Sequence, residues 1–142
     1  MKTVFVKPAV AERKWYVIDA SDKVLGRVAA KAAALVRGKH KAIFAPHHEL
    51  GDYVVIINAD KIAVTGRKRQ NKMYYRHTGY VGGLKEDTFE SLLERHPTAP
   101  LEHAVKGMLP KGPLGRKLFL NVKIDAGAEH PHAAQNPESI EL

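Results

Sequence analysis

The sequence contains no cysteine among its 142 residues, and aromatic residues make up only 7% of it. Without thiols the chain cannot form a disulfide framework, a cysteine-based metal site or a thiol nucleophile. It also lacks an apolar run of about 18 residues, the length that a membrane-crossing helix needs. The first ten residues show no signal-peptide pattern, so we expect a cytoplasmic protein. At this length we expect a single domain over residues 1–142.

Negative charge is scarce and is kept apart from positive charge. Lysine and arginine number 23 against 15 aspartate and glutamate residues, a formal net charge of +8. Three stretches contain no acid: residues 23–48 with six basic side chains, 61–85 with seven and 106–123 with five. One such stretch would equally fit a solvated helix face. Because like charges repel in a compact protein, three of them favour a polyanionic partner, and we expect nucleic acid.

Short apolar or β-branched runs predict the strands of a small sheet. They cover residues 15–19, 52–58, 61–65 and 118–124. The run over 52–58 is apolar without alternation, which is typical of a strand covered on both faces in a parallel sheet. After residue 127 we expect an extended, irregular tail over about 128–142, outside a core of about 14–127.

Apolar residues at helical spacing predict three helices. They cover residues 24–37, 88–95 and 98–109. We expect Ser21 or Asp22 to cap the first helix and Gly38 to end it, while Asp87 and Glu90 form a capping box for the second. The order of strands and helices favours a three-layer α/β domain with a small, mostly parallel four-stranded sheet and long basic loops.

No arrangement of residues in the sequence is typical of an enzyme. The turn after the first predicted strand, residues 19–26, has neither a dinucleotide-binding nor a P-loop glycine pattern, and Asp19 and Asp22 would repel a phosphate there. None of the serines lies in a G-x-S-x-G context. We expect no catalysis, no cofactor and no small-molecule substrate. An α/β enzyme that depends on Asp19 or His130 is the alternative.

Eight histidines raise the question of a metal site. His47 and His48 are adjacent, and His130 and His132 form an H-x-H pair whose rings an extended backbone places on one side. No third ligand stands at a fixed spacing from either pair, and there is no H-E-x-x-H motif. We therefore expect polar or RNA-facing imidazoles and no bound metal, with a histidine metal site as the less favoured alternative.

Residues 66–85 interleave cations, aromatic rings and glycines without any helical or strand period, so we expect a long loop. Cations neutralise phosphates and flat rings stack on unpaired bases, which makes this loop the strongest candidate for RNA binding. The alternative is a disordered loop whose tyrosines cover the core. Its candidate RNA-binding residues are Arg67, Lys68, Arg69, Lys72, Tyr74, Tyr75, Arg76, His77, Thr78, Tyr80 and Lys85.

Residues 106–117 are expected to present further cations from a stiff, proline- and glycine-rich loop that also connects a helix to a strand. The basic edge of the first predicted helix, the turn after that helix and the histidines of the tail add more candidates. These RNA-binding candidates are Arg27, Lys31, Arg37, Lys39, His40, Lys41, Lys106, Lys111, Arg116, Lys117, His130 and His132.

Motifs along most of the chain are similar to those of a known family. The most specific are Tyr75-Arg-His-Thr-Gly-Tyr80, Gly82-Gly-Leu-Lys85 and Ala104-Val-Lys-Gly-Met-Leu-Pro110, with Trp15-Tyr-Val-Ile-Asp-Ala20 and His130-Pro-His-Ala-Ala-Gln135 nearer the ends. These motifs follow one another in the same order from about residue 14 to 137. With them the sequence resembles the bacterial form of the large-subunit ribosomal protein thirteen family. Asp125 is a departure, since that family usually carries an aromatic residue there.

The resemblance implies a Rossmann-like α/β/α sandwich and a structural constituent of the large (50S) ribosomal subunit. Such a protein binds large-subunit (23S-type) rRNA, contacts neighbouring large-subunit proteins and supports early subunit assembly in the cytoplasm. The candidate cations and rings would then contact rRNA. A free RNA-binding regulator or RNA chaperone on an α/β scaffold is the alternative function.

Overall fold

The computed structural model describes residues 5–142 and contains one four-stranded sheet and one separate two-stranded hairpin. Residues 1–4, part of the stretch searched for a signal peptide, lie outside the described residues. In chain order the strands are β1 (Trp15–Asp19), β2 (Tyr53–Ile57), β3 (Met73–His77), β4 (Leu84–Thr88), β5 (Val122–Ile124) and β6 (Glu138–Ser139). The larger sheet has the order β5-β2-β1-β6 with every pairing parallel, and β3 pairs antiparallel with β4.

Within residues 5–142, five α-helices and two short 3₁₀ turns connect these strands. The helices are α1 (Leu25–Arg37), α2 (Lys68–Asn71), α3 (Phe89–Arg95), α4 (Ala99–Met108) and α5 (Pro113–Phe119), and the 3₁₀ turns are Ala59–Lys61 and Ala133–Gln135. The alternation of strands and helices confirms the predicted α/β class, and the parallel sheet confirms the predicted sheet type.

Helix α1 forms the centre of the core. Val28, Ala32 and Val36, on its apolar stripe, are fully buried together with Ile18 of β1 and Val54 of β2. Burying one such aliphatic side chain stabilises the fold by about 1.5–3 kcal/mol relative to leaving it exposed. Because alanine at position 32 is small, the helix axis lies close to the sheet. The buried stripe therefore fixes α1 on one face of β1 and β2.

The strand order determines what covers each face of the sheet. From β1 to β2, and from β2 to β5, the chain crosses the sheet in the same direction, so right-handed crossovers place α1 and α3 to α5 on one face. From β5 the chain returns to the opposite edge at β6 and crosses the other face, where the His132 ring lies 5.3 Å from the Trp15 ring. On this face the tail therefore covers Trp15 and takes the place of the third layer in the predicted sandwich.

The long loop predicted over residues 66–85 is wrong, because this stretch contains α2, β3 and the start of β4. Five register pairs, from Met73↔Thr88 to His77↔Leu84, join the two strands. Both faces of this hairpin carry exposed or half-buried side chains. The apolar alternation that marks a strand with one buried face is therefore missing from the sequence. The loop predicted over 106–117 is also wrong at both ends, which lie in α4 and α5.

The strand predicted over residues 118–124 is correct only from Val122 onward. Pro113 starts helix α5, in which Leu114 and Leu118 stand four residues apart and both contact the core. Leu120 is 67% exposed, so it does not continue a buried strand face. Apolar residues an even number of positions apart fit either one face of a strand or successive turns of a helix. Pro113, at the first helical position, indicates the helix here.

The fourth strand of the sheet comes from the tail instead of from residues 61–65. Strand β6 pairs with β1 through Tyr16↔Glu138 and Val17↔Ser139. Residues 61–65 contribute a single bridge between Ala63 and Val24. A strand of two polar residues produces no apolar pattern, so the sequence predicts an irregular tail throughout.

Helix α1 begins without the side-chain cap that the sequence predicts. Neither Ser21 nor Asp22 is the cap: Val24 precedes the helix, and its side chain makes no hydrogen bond to the first turn. The amide of Leu25 donates instead to the carbonyl of Ala63 (2.9 Å). A backbone carbonyl from a neighbouring segment thus satisfies a helix amide that a polar side chain usually satisfies.

Helix α3 is capped by a different residue from the one predicted. The hydroxyl of Thr88 accepts a hydrogen bond from the amide of Ser91 (3.3 Å). Asp87 and Glu90, expected to form a capping box, pair with Arg95 and Arg69 instead. These ion pairs attach α3 to the hairpin and to α2.

Helix α1 ends at a close contact between two glycines. Gly38 ends it as predicted, in the left-handed region at φ +81°. A Cβ atom at Gly51 would lie 1.8 Å from the carbonyl oxygen of Val36, so no other residue fits there without movement of the backbone. The amide of Asp52 then donates to the carbonyl of Leu35 (3.2 Å). The chain therefore enters β2 directly beneath the end of α1.

We expect Gly51→Ala to lower the free energy of unfolding by about 1–3 kcal/mol or more, because its methyl group overlaps the end of α1. The matched control is Gly26→Ala in the first turn of α1, where a Cβ would meet nothing within 4 Å. Alanine favours a helix over glycine by up to about 1 kcal/mol, so this control should be neutral or stabilising. Urea unfolding of both variants measures the difference, and equal stabilities would contradict the close contact.

Candidate nucleic-acid interface

Cations of α1, α4 and α5, and of the turns that follow α1 and α4, line two neighbouring clefts. Lys106, Lys111 and Arg116 line a groove of about 310 Å³. Arg37 and Lys39 line an adjacent cleft of about 400 Å³, and the loop after α4 borders both. None of these five cations forms an ion pair with a carboxylate within residues 5–142. We call the five residues the basic corner.

The basic corner exists because α5 packs closely on the loop after α4. A Cβ atom at Gly115 would lie 1.7 Å from the carbonyl oxygen of Pro110. Gly112 precedes α5 at φ +106°, which turns the chain sharply before Pro113 starts the helix. This turn brings Lys111 next to the end of α4. The cations that the sequence places on a loop are thus held mainly by two helix ends.

Arg37 belongs to the basic corner and also has a structural role. One of its terminal nitrogens donates to the carbonyl of Pro46 (3.1 Å), and its guanidinium carbon lies 5.7 Å from the centre of the Phe44 ring. The other terminal nitrogen is buried without a hydrogen-bond partner among the described residues. Arg37 therefore holds the loop after α1 against the helix while its charge stays unneutralised.

Helix α2 and the hairpin carry a second group of cations. Arg67, Lys68 and Lys72 line a groove of about 370 Å³ along α2. On the hairpin, Arg76 stands directly opposite Lys85. No carboxylate of the described chain pairs with any of these five. Arg69 differs, since its guanidinium lies 3.2 Å from the carboxylate of Glu90.

The rings that the sequence places together point to different surroundings. Tyr75 and Tyr80 are 63% and 78% exposed, whereas Tyr74 is half-buried beside His103. At the tip of the hairpin, the imidazole of His77 accepts a hydrogen bond from the backbone two residues later. Thr78 is an exposed residue, and its backbone amide donates a hydrogen bond to the carbonyl of Gly83 across the turn (3.0 Å). We call the exposed cations and rings of this region the hairpin surface: Arg67, Lys68, Lys72, Tyr75, Arg76, Tyr80 and Lys85.

His40 and Lys41, both predicted to bind RNA, lie against a buried acid. The carboxylate of Asp52 is fully buried and accepts hydrogen bonds from the ammonium of Lys41 (2.6 Å) and the amide of Lys14 (2.9 Å). Nε2 of His40 lies 2.7 Å from its other oxygen without hydrogen-bond alignment. A carboxylate removed from water requires such partners. The charge of Lys41 is therefore used within the fold.

Lys117, another predicted RNA-binding residue, lies against a second buried acid. The carboxylate of Glu49 accepts hydrogen bonds from the side chains of Asn121 (2.7 Å) and Arg13 (2.9 Å) and lies 3.0 Å from the ammonium of Lys117. Burial by itself raises the pKa of Glu49, but these hydrogen bonds and the nearby positive charge hold that pKa below its ordinary value. Glu49 thus stays charged and offsets part of the Lys117 charge.

The remaining predicted residues lie on α1 and in the tail. Arg27 and Lys31 are exposed one turn apart on α1. The rings of His130 and His132 stack with centres 6.3 Å apart, and His132 lies against Trp15. His132 thus contacts the sheet directly, while His130 packs on His132 within the tail.

The burial of Glu49 and Asp52, and the contacts of Arg13 and Asn121 with Glu49, are absent from the sequence-based predictions. Acidic and basic residues are usually exposed, and no local pattern separates a buried acid from a surface one. The only signal is position, since Gly51 and Asp52 immediately precede the apolar run of β2.

Metal binding and membrane crossing are two further possibilities for residues 5–142. No group of three or more histidine, aspartate or glutamate side chains in this part of the chain is arranged to hold a metal ion. None of the helices described there is both long enough and apolar enough to cross a membrane.

The sequence was compared with known protein families and curated proteins. A family model described as Ribosomal protein L13 matches residues 13–131. The chain belongs to the ribosomal protein L13 family. It is 65% identical to large ribosomal subunit protein uL13 of Treponema denticola and 58% identical to the protein of that name in Alteromonas mediterranea, each over 142 residues and the whole of both chains. Borreliella afzelii has a uL13 that is 58% identical over 139 residues, 98% of this chain and 91% of that protein.

The match to the L13 family confirms the resemblance seen in the motifs and extends over all the cations described above. It includes the basic corner, the hairpin surface and both buried acids. Strand β6 lies beyond the matched residues 13–131, although the relatives align with the chain along its full length.

We expect two lysines only two positions apart to behave differently when each is replaced by glutamine. Lys41→Gln removes the cation beside buried Asp52 and should lower the free energy of unfolding by about 1–3 kcal/mol. Lys39→Gln, the matched control, changes an exposed side chain and should stay within about 0.5 kcal/mol of wild type. Chemical denaturation of both variants measures the effect. Equal stabilities would show that the Lys41–Asp52 pair does not support the fold.

Proposed function

We propose that this L13-family protein is a structural constituent of the large ribosomal subunit and binds large-subunit rRNA through the basic corner, the hairpin surface and the exposed Arg27 and Lys31 of α1. The observation that carries the proposal is the 65% identity, over the whole of both chains, to a large ribosomal subunit protein. Proteins of this family are structural and not enzymes, and their place is the ribosome in the cytoplasm.

The distribution of charge supports rRNA as the ligand. The two buried acids, Glu49 and Asp52, are already surrounded by cations of the protein, so they do not neutralise the basic corner or the hairpin surface. Unpaired lysines and arginines bind phosphates and release their counterions, which supplies most of the sequence-independent affinity for RNA. Exposed Tyr75 and Tyr80 add faces on which unpaired bases stack.

We propose as direct rRNA contacts the predicted cations that no carboxylate of the described residues pairs with, together with the two exposed tyrosine rings. Lys41, His40 and Lys117 mainly balance buried acids, while His132 packs on Trp15 and His130 packs on His132. The proposed direct contacts are Arg27, Lys31, Arg37, Lys39, Arg67, Lys68, Lys72, Tyr75, Arg76, Tyr80, Lys85, Lys106, Lys111 and Arg116.

Two separate cationic surfaces suit a role in assembly. A protein that holds two rRNA segments at once raises the effective concentration of each near the other, which favours the folded rRNA. This effect matters most before the rRNA has reached its final fold, so we propose binding early in subunit assembly. Neighbouring large-subunit proteins would contact surfaces of the chain outside the basic corner and the hairpin surface.

We expect the epitope-tagged chain to cosediment with large subunits through a sucrose gradient after a high-salt wash. A protein enclosed between folded rRNA segments leaves only when the subunit opens, even though salt weakens each phosphate contact. A free RNA-binding regulator, the alternative function, would dissociate and remain at the top of the gradient. The measurement is the position of the tag relative to the large-subunit peak.

We expect binding to transcribed large-subunit rRNA to weaken about 10³–10⁵-fold between about 50 and 200 mM salt if some six to ten phosphates are neutralised. Lys111→Gln combined with Arg116→Gln should reduce the slope of log affinity against log salt by about 1.4–1.8, because two phosphate contacts are lost. Lys7→Gln, a change of an exposed lysine outside both surfaces, is the control and should leave the slope unchanged. A nearly salt-independent affinity of the wild type would contradict the proposal.

A further inference from the structure

The turn after α1 also lines a cleft that shares no residue with the basic corner or the hairpin surface. The volume of this cleft is about 530 Å³. Ala42 and Ile43 of the turn line it together with Val6 and Val10 of the N-terminal segment. Val10 is 75% exposed, so apolar lining is open to solvent. We call this opening the N-terminal cleft.

The N-terminal cleft lies at the edge of the sheet where β6 pairs with β1. Tyr16, which lines the cleft, stands opposite Glu138 of β6. Its side chain points to the same face of the sheet as that of Ile18, because side chains alternate along a strand. Ile18 is fully buried in the core with α1, whereas Tyr16 is half-buried. Helix α1 thus leaves apolar surface uncovered beside β6, and the cleft opens there.

The charges around the N-terminal cleft differ from those of the basic corner. The ammonium of Lys41 lies 2.6 Å from the carboxylate of Asp52, and the ammonium of Lys14 lies 3.4 Å from the carboxylate of Glu138. Glu12 also lines the cleft as an exposed residue, and its carboxylate forms no ion pair within residues 5–142. Both lysines of the cleft are therefore paired, while one acid is left over.

This arrangement disfavours RNA as the occupant of the cleft. Affinity for RNA comes from cations that no acid of the protein neutralises. His40, the remaining basic side chain of the lining, also lies against the carboxylate of Asp52. The carboxylate of Glu12 would repel a phosphate. An apolar side chain would be removed from water in this cleft, and a cation beside it would complement Glu12.

We propose that the N-terminal cleft binds a segment of a neighbouring large-subunit protein that carries an apolar side chain next to a lysine or arginine. The apolar side chain packs against Val10 and Ile43, and the cation pairs with Glu12. This rests on the proposed function, because the partner is another protein of the same subunit. The chain then has a surface for protein contact that is separate from its surfaces for rRNA.

A photoreactive side chain in place of Val10 identifies the occupant in assembled large subunits. The probe is p-benzoylphenylalanine, and Val10 tolerates it because the residue is exposed. After irradiation of purified subunits, mass spectrometry should find the probe attached to another large-subunit protein, in a peptide with an apolar residue beside a lysine or arginine. The matched control carries the probe in place of Val81, a fully exposed valine between β3 and β4, and should cross-link to rRNA instead.

A reversal of charge in the chain with the probe at position 10 tests the ionic part of the contact. Glu12→Lys should lower the yield of the protein cross-link about two- to tenfold, because the new ammonium repels the cation of the partner. Glu94→Lys makes the same change at an exposed acid of α3 outside the cleft and should leave the yield unchanged.

A bulky ring in the same chain tests the apolar part of the contact. Ala42→Trp fills the cleft and should lower the yield of the protein cross-link about tenfold or more, because the apolar side chain of the partner loses its place. Ala42 is exposed, so urea unfolding should show an unchanged stability. Ala128→Trp, at an exposed alanine outside the cleft, is the matched control and should keep the full yield.

The outcomes distinguish the cleft from the proposed function as a whole. The cleft proposal is wrong, and the proposed function stands, if the chain is found in large subunits but the probe at position 10 attaches to rRNA, to a second copy of this chain, to residues 1–4 of the same chain, to a peptide without such a pair of residues, or to nothing. An unchanged yield in Glu12→Lys or in Ala42→Trp overturns it equally. If the chain is absent from large subunits, the proposed function fails and the cleft proposal fails with it.

Discussion

The buried carboxylate of Asp52 is the constraint on which most of this structure depends. Gly51 has no room for a side chain beneath the end of α1, so the next residue enters β2 with its carboxylate inside the protein. That carboxylate binds the N-terminal segment through the amide of Lys14 and the turn after α1 through Lys41. The carboxylate of Glu49, three residues earlier, likewise binds the side chains of Arg13 and of Lys117 in α5. Residues 49–52 thereby hold together segments that are distant in sequence.

Positive charge in this protein consequently has two separate uses. Lys41, Arg13 and part of the Lys117 charge compensate acids that the fold has removed from water. The cations of the basic corner and the hairpin surface have no such acid and remain available to a polyanion. A count of net charge cannot separate these uses, since Lys39 and Lys41 contribute equally to it although only one of them is engaged inside the protein. The separation depends on burial, which is a property of the fold.

The parts of the fold that could be predicted from the sequence are those with an apolar period. Strands β1 and β2 and helix α1 bury continuous apolar runs or stripes, and their predicted positions are close to those observed. The hairpin and β6 have little or no buried face, so no period marks them. The cationic residues of the interface could be named in advance, because charge is visible in a sequence. Their grouping into two surfaces could not, because Arg37 and Arg116 line neighbouring clefts only once α1 and α5 have packed.

The pairing of β6 with β1 has a consequence for how the protein folds. Tyr16 and Glu138 are more than a hundred residues apart, and only two register pairs join their strands. Closing so long a loop costs much chain entropy, and a ladder of two pairs returns little of it. By contrast, β1, α1 and β2 are neighbours in the chain and share one core. Contact order therefore favours a folding nucleus of β1, α1 and β2, with β6 covering the free edge of β1 as a late event.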